Sequence, residues 1–389
     1  MLYEFFDNFK HNLFKPLLMF FYMGFLVPIL RVPFEFPHVI YQGLTMYLLI
    51  AIGWHGGEEL ASLDAEGARQ ALGFMVIGFC LNFVIGVASY FILRSVSKLR
   101  KIDAATVAGY YGSDSAGTFV TCLGVLIAAK PIIPYAAYMP VMLAVMEIPG
   151  CLVALFLVSR MRRNGMDALG NMPGEANYDP YLNGNGNGNG HGDADDHVND
   201  HAVVKKHDSH GSGFNLELLH EVFLNPGLYL LFGGIIIGFV ARYQGENVSK
   251  VDDILFVDLF QGVLCLFLLE MGMTACRRLR DLKTAGWGFI AFALIAPNVF
   301  ATVGIVAAHI YSMALGSPFG LGTYALFSVL CAAASYIAVP AVQRLAIPEA
   351  SPTLPLAASL GLTFSYNVTI GIPVYLEIAK AVIANFPVT

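Results

Sequence analysis

Charge is the scarce ingredient of this chain. Asp, Glu, Lys and Arg make up 13% of its 389 residues, about half the share usual in soluble domains, while the mean hydropathy is +0.64. That combination excludes an ordinary soluble fold and implies an all-α polytopic membrane protein. The net charge of -6 leaves no basic excess for nucleic acid, and in a membrane protein charge matters loop by loop rather than in sum. Cys80, Cys122, Cys151, Cys265, Cys276 and Cys331 lack metal-ligand or redox spacing and read as buried thiols. No nucleophile with its base, no phosphate loop and no HExxH-type motif is found, so neither an enzyme nor an organic cofactor is expected. The first fifteen residues lack the basic start and small-residue exit of a cleavable signal, and the first apolar segment is expected to stay.

What the chain has instead is long apolar runs. They fall at 16–30, 39–54, 71–93, 104–129 and 135–159, and resume at 226–241, 254–276, 287–316, 318–343 and 354–376. A single helix needs about 20 apolar residues to cross hydrocarbon, so the shorter runs require a bundle around them. The reading is ten transmembrane helices, five plus five. Residues 164–213 are a different polymer, with an Asn-Gly repeat from Asn183 to Gly190, then acids and His191, His197, His201, His207 and His210. Too poor in apolar surface to fold alone, they are expected to form a disordered linker, and the histidines show no spacing that fixes a coordination geometry. The expected division is 1–163, 164–213 and 214–389.

The two halves are related. Tyr41-Gln42-Gly43-Leu44-Thr45 aligns without gaps on Phe260-Gln261-Gly262-Val263-Leu264, and the register holds from there to Gly67 against Gly286. Lys15-Pro16 matches Asn225-Pro226, Asn82 matches Asn298, Gly112-Ser113 falls opposite Ala334-Ser335, and Pro140 opposite Pro355. After the matched helix the first half carries Glu58-Glu59 and the second Arg277-Arg278. Lys and Arg collect on the cytoplasmic side, so the copies are expected to be inverted, which an odd number of helices per repeat produces automatically. Placing both termini outside puts fifteen of the 22 Lys and Arg inside, together with the linker. The expected location is the cell (inner) membrane. Inverted repeats of this kind are a transporter architecture, with the site near the midplane.

One stretch, Gly109-Tyr110-Tyr111-Gly112-Ser113-Asp114-Ser115-Ala116-Gly117-Thr118, sets a carboxylate, hydroxyls and glycines inside an apolar run. Ionisable residues at membrane depth are costly and usually face a cavity or ion path, and glycines and hydroxyls let a helix open. Asp114 with Ser113, Ser115 and Thr118 offers hard oxygen ligands, suited to Na⁺. The repeat predicts a partner break, and Cys331-Ala332-Ala333-Ala334-Ser335-Tyr336-Ile337-Ala338-Val339-Pro340 fills that place. Two half-helix N-termini meeting there would make an anion site. Glu147 and Glu270 also lie deep in apolar runs, each open to a role as relay, cation ligand or helix-helix hydrogen bond, the last being the reading for Glu270. Asn82, Asn298 and Asn367 read as helix glue, and His55 and His309 as packed or interfacial histidines.

At these residues the chain resembles the SbtA-type sodium-dependent bicarbonate transporters. The resemblance is carried by Tyr111-Gly112-Ser113-Asp114-Ser115-Ala116-Gly117-Thr118-Phe119, by Tyr138-Met139-Pro140 to Met146-Glu147-Ile148-Pro149, and above all by Ala334-Ser335-Tyr336-Ile337-Ala338-Val339-Pro340-Ala341. Ile347-Pro348-Glu349-Ala350-Ser351-Pro352 and Thr363-Phe364 to Gly371-Ile372-Pro373 extend it. It implies discontinuous helices crossing at the midplane, a core and a gate domain, a homotrimer, Na⁺/HCO₃⁻ symport, and a PII-like nucleotide-binding regulator on the cytoplasmic face. It further implies that Ser113, Asp114, Ser115 and Thr118 serve Na⁺, and that Gly112, Ser113, Ser115, Ala334, Ser335 and Tyr336 serve bicarbonate. The residues leave three other functions open: symport of another small anion such as a monocarboxylate or sulfate, Na⁺/H⁺ antiport through Asp114 and Glu147, and a non-transporting sensor whose linker docks a partner.

Overall fold

A computed structural model describes residues 14–180, 226–279, 282 and 286–388, and among these every regular element is helical. The helices are α1 (Pro16–Leu30), α2 (His38–Ala61), α3 (Ala65–Val96), α4 (Lys101–Tyr111), α5 (Ala116–Ile127), α6 (Met139–Arg163), α7 (Pro226–Gln244), α8 (Glu246–Arg278), α9 (Trp287–Leu315), α10 (Leu321–Ala332), α11 (Ala338–Ala346) and α12 (Leu354–Asn385). Six of them, α3, α6, α7, α8, α9 and α12, are long and apolar enough to cross a membrane. The molecule is a multi-pass membrane protein. The Asn-Gly repeat, the five linker histidines, Arg280 and Lys283 lie outside the described residues.

Local chemistry sets where the helices begin and where they deform. Asp64 takes the Gly67 N–H at 2.8 Å and starts α3, while Pro16 and Pro140 occupy the first turns of α1 and α6, where a missing N–H costs nothing. Helix α8 carries a π-helical turn at Ile254–Asp258, and α12 carries two, Ala357–Phe364 and Asn367–Gly371. Such wide turns are common at functional positions.

The helices pack in two groups. In a four-helix panel, α1 lies against α8 and α2 against α7, each pair drawn together at glycines: Gly272 of α8 meets the Phe21 backbone of α1, and Gly53 of α2 meets the Leu231 backbone of α7. Without a hydrophobic drive between helices in lipid, close backbone approach is what holds such pairs. The larger bundle wraps α3, α6, α9, α10 and α12 around α4, whose residues from Ile102 to Tyr111 are all buried. Phe74, Phe327, Tyr111 and Phe364 fill the space between them. Among the cysteines, Cys80 is exposed on α3 and Cys265 half-buried, which corrects the reading of all six as buried. A thiol is apolar enough to face lipid from a membrane helix.

The first part of the expected linker, 164–180, is bonded to the bundle as a strap. Asp167 accepts the N–H groups of Asn171 at 2.7 Å, Leu169 at 3.0 Å and Asp179 at 3.1 Å. Glu175 takes the Lys101 N–H at the start of α4 at 2.8 Å. Arg100 binds Asp103 through Nε and Nη2 and reaches the carbonyls of Leu169 and Glu349, while Met166 and Met172 pack on Ile102, Val158 and Ile347. Composition hid this order, because carboxylates aimed at backbone N–H groups rather than apolar surface supply most of the hold.

Burial pushes the Asp167 carboxyl up, but the N–H donors of Asn171, Asp179 and Leu169 outweigh it and hold the group below its ordinary 3.8. A folded-state value below the unfolded one contributes stability that is present above about pH 4 and is lost as pH falls through the lowered value. In Asp167→Asn the amide protons of Leu169 and Asn171 therefore exchange about tenfold or more faster at pH 7, a charge-assisted bond being worth about 1.5–3 kcal/mol. In the native protein the same amides keep their protection, measured against the intrinsic exchange rate at each pH, down to about pH 4 and lose it below. Unchanged protection in the variant would show that the packing of Met166 and Met172 holds the strap by itself.

Candidate functional site

Two helix breaks face each other inside the bundle. Between α4 and α5, the Gly112 N–H closes the last turn of α4 on the Ala108 carbonyl. Ser115 then turns extended and accepts the Thr118 N–H at 3.3 Å and the Thr118 hydroxyl at 3.1 Å, capping α5. Between α10 and α11, residues 333–337 run without helix, and the Ser335 hydroxyl accepts the Val339 N–H at 3.4 Å. The breaks bond to one another directly. The Ser335 N–H donates to the Tyr110 carbonyl at 2.9 Å, one of those the end of α4 leaves open, and Gln343 Nε2 adds a bond to the Thr106 carbonyl at 3.2 Å.

Glycines let α3 and α6 reach the first break. A Cβ on Gly86 would stand 3.0 Å from the Gly112 Cα, and one on Gly150 would stand 2.6 Å from the Ser113 Cβ. At that contact the Ser113 hydroxyl donates to the Glu147 carbonyl at 2.8 Å. Asn82 Nδ2 bridges the Met146 carbonyl of α6 at 3.0 Å and the Leu330 carbonyl of α10 at 3.4 Å. Asn298 accepts from Tyr366, and Asn367 binds the Ala332 carbonyl while accepting from Tyr375. All three asparagines join helices to helices. His55 pairs with Tyr135 and His309 with Tyr324.

At the centre lies Asp114, fully buried, with neither carboxylate oxygen hydrogen-bonded. Glu147 of α6 is buried nearby, its backbone carbonyl accepting from Ser113, and its carboxyl is an electrostatic neighbour of Asp114. The Tyr336 hydroxyl lies over Gly117 beside Ser115, without a hydrogen bond of normal geometry. Gly112, Ser113, Ser115, Thr118, Ala334, Ser335 and Tyr336 are all buried around this point. The structure thus gathers every site residue expected from the sequence except Glu270. That residue stands on α8, where Thr274 donates to its Oε1 at 2.7 Å and Tyr41, His38 and Arg277 are its neighbours. Its Oε2 has no partner, so the reading as a helix-helix bond becomes a bond within one helix.

No Lys or Arg occurs in 104–129 or 287–343, so the segments that form the two breaks bring no fixed positive side chain to the buried Asp114. The N-termini of α5 and α11 point into the same space, each with the equivalent of about half a positive charge.

Sequence reasoning missed the panel's share in this site. Tyr41 of α2 approaches Tyr336 and stacks on Phe267 of α8 at 6.0 Å, and Phe267 reaches Gly117. Tyr41 directly before Gln42-Gly43 and Phe267 five residues past Gln261-Gly262 are a faint signal. Gly86 and Gly150 were legible only as glycines in apolar runs.

The family model of the Na⁺-dependent bicarbonate transporter superfamily matches residues 16–380. The chain belongs to that superfamily. Among curated proteins no relative matches it. Membership makes the molecule a transporter rather than an enzyme. A Cβ at Gly150 pushes the Ser113 turn away from α6 and removes the Ser113–Glu147 bond. Gly150→Ala should lower stability by about 1–3 kcal/mol and cut transport by about tenfold or more, whereas Gly43→Ala, where nothing lies within 4 Å, should change neither. Melting midpoint and uptake rate in one preparation check both, and normal uptake in Gly150→Ala would separate the break's geometry from transport.

Proposed function

We propose that the protein is a sodium-dependent bicarbonate symporter that carries HCO₃⁻ with Na⁺ across the cell membrane. The observation that carries this reading is Asp114, buried with two unpaired oxygens between opposed half-helices. Asp114, with the oxygens of Ser113, Ser115 and Thr118, would hold Na⁺. Free N–H groups at the two N-termini, with Gly112, Ala334, Ser335 and Tyr336, would hold a small planar monoanion without a buried Lys or Arg. On this reading the chain is two inverted five-helix repeats, ten spans in all, with α4–α5 and α10–α11 as the discontinuous ones. The pairing of α1 with α8 and of α2 with α7, the first and second helices of opposite repeats, supports it. The panel is then the gate and the larger bundle the core, both termini are external, and the 164–213 segment is cytoplasmic. The homotrimer and the PII-like nucleotide-binding regulator belong to the same reading through the resemblance.

A second reading draws on the proximity of Asp114 and Glu147. Two adjacent carboxyls also suit exchange of Na⁺ for H⁺. In proteoliposomes the symporter takes up labelled bicarbonate only with an inward Na⁺ gradient, and Asp114→Ala reduces that uptake to background. Excess monocarboxylate or sulfate should not compete. Wild-type rates in Asp114→Ala would remove this residue from the mechanism, and Na⁺-driven proton flux without bicarbonate would favour the exchanger.

A further inference from the structure

The two halves use one sequence pattern in two different ways. On α8, Gln261 Nε2 donates to the Gly124 carbonyl of α5 at 3.2 Å, Leu264 is fully buried against Gly124, and Phe260 is buried. Beside them Lys15 Nζ, at the head of α1, donates to the Val125 carbonyl at 3.2 Å and faces the buried Cys122 thiol. The repeat counterparts on α2 are less covered. Gln42 is exposed and has no hydrogen-bond partner among the described residues, and Tyr41 and Thr45 are only half-buried. The register that sets Gly112-Ser113 opposite Ala334-Ser335 starts the second half-helices together, Ala116 opposite Ala338, and carries Gly124 onto Ala346 at the end of α11. The Ala346 carbonyl accepts from Arg162 Nη2 at 2.8 Å rather than from α2.

From this asymmetry we infer that Gln42 and Gln261 are alternating latches of the transport cycle. Gln261 holds α5 against the panel and closes the α5 side of the site in the conformation seen here. When that side opens, Gln42 makes the equivalent bond to the end of α11 and closes the other side. In each state one glutamine is bonded and the other solvated, so the exchange trades one hydrogen bond for another and leaves the two states close in free energy. The inference rests on the inverted-repeat reading above but not on the identity of the cargo. With the termini external, the conformation seen here is closed to the outside.

Cys122 is the native reporter, because it is fully buried on α5 less than a turn before the Gly124 and Val125 carbonyls that Gln261 and Lys15 hold. The test is alkylation of Cys122 by a polar maleimide in the full-length protein in nanodiscs, read by peptide mass so that the other cysteines stay in place. Gln261→Ala should raise the rate about two- to tenfold, and Gln42→Ala should lower it by a similar factor, each variant losing one hydrogen bond from opposite states. Shifts of opposite sign are what a merely structural role would not produce. Shifts of the same sign, or an unchanged rate in Gln42→Ala, would overturn the inference. A thiol that stays unreactive in all three proteins would overturn it at its root, since α5 would then never leave the panel. Labelling needs no substrate: opposed shifts in a protein that fails to take up bicarbonate would leave the latches standing and remove only the cargo.

Discussion

A carboxyl group buried at bilayer depth without a protein donor is the condition that the rest of this molecule accommodates. Asp114 sits where a continuous helix would have run, and opening that helix exposes backbone groups that lipid cannot satisfy. The surrounding elements answer this one by one. Ser115 caps α5, the Ser335 N–H takes the Tyr110 carbonyl, Gln343 adds a bond to the Thr106 carbonyl, and Ser113 ties the turn to α6. Gly86 and Gly150 are small because the turn must touch both neighbouring helices. What remains without a protein partner is the carboxyl itself.

Much of this was legible in the sequence, and the reasons differ by level. The apolar runs announced the helices because lipid demands uninterrupted apolar length, the polar cluster at 112–118 announced the first break because nothing else justifies it in such a run, and the repeat register with the small residues and Pro340 of 331–340 announced the second. Helix ends were less legible. Helix α2 runs on to Ala61 through Glu58 and Glu59, and α8 begins at Glu246, since charged residues remain helical where a span leaves the membrane. The strap at 164–180 was not visible, because its order comes from Asp167 and Glu175 meeting particular N–H groups, a geometry that composition does not encode. Nor was the approach of Tyr41 and Phe267 to the breaks, which depends on how the panel lies on the bundle rather than on any local pattern.

The strap also changes how the two breaks relate to the rest of the chain. Arg100 binds Asp103 at the start of α4 and the Glu349 carbonyl just past the end of α11, and Arg162 binds the Glu349 carboxylate at 2.9 Å. Asp103 in turn accepts the Ser351 N–H at 2.8 Å. The outer ends of the two half-helices are thereby fastened to one another and to α6, while their inner ends bond through Ser335 and Tyr110. Held at both ends, α4 and α11 are constrained to move as a unit. That suits a bundle that shifts against the panel as one body, with the polar contacts that must change confined to residues such as Gln261, Lys15 and Tyr41 at its surface.

On the symport reading proposed above, coupling between the two ions would follow from the same electrostatics. An anion placed about 5 Å from a bare Asp114 carboxylate would be repelled by about 3 kcal/mol at an effective dielectric near 20, which removes most of what two half-helix N-termini contribute. A cation seated on Asp114 cancels that repulsion. The anion affinity therefore rises by about a hundredfold when the cation is present, and by reciprocity the anion strengthens the cation by the same factor. No contact between the ions needs to be invented for this, and no moving part. A carboxylate that is costly alone, set beside two helix ends that are weak alone, is enough to make the empty and the doubly loaded sites the favoured ones and the singly loaded site the rare one.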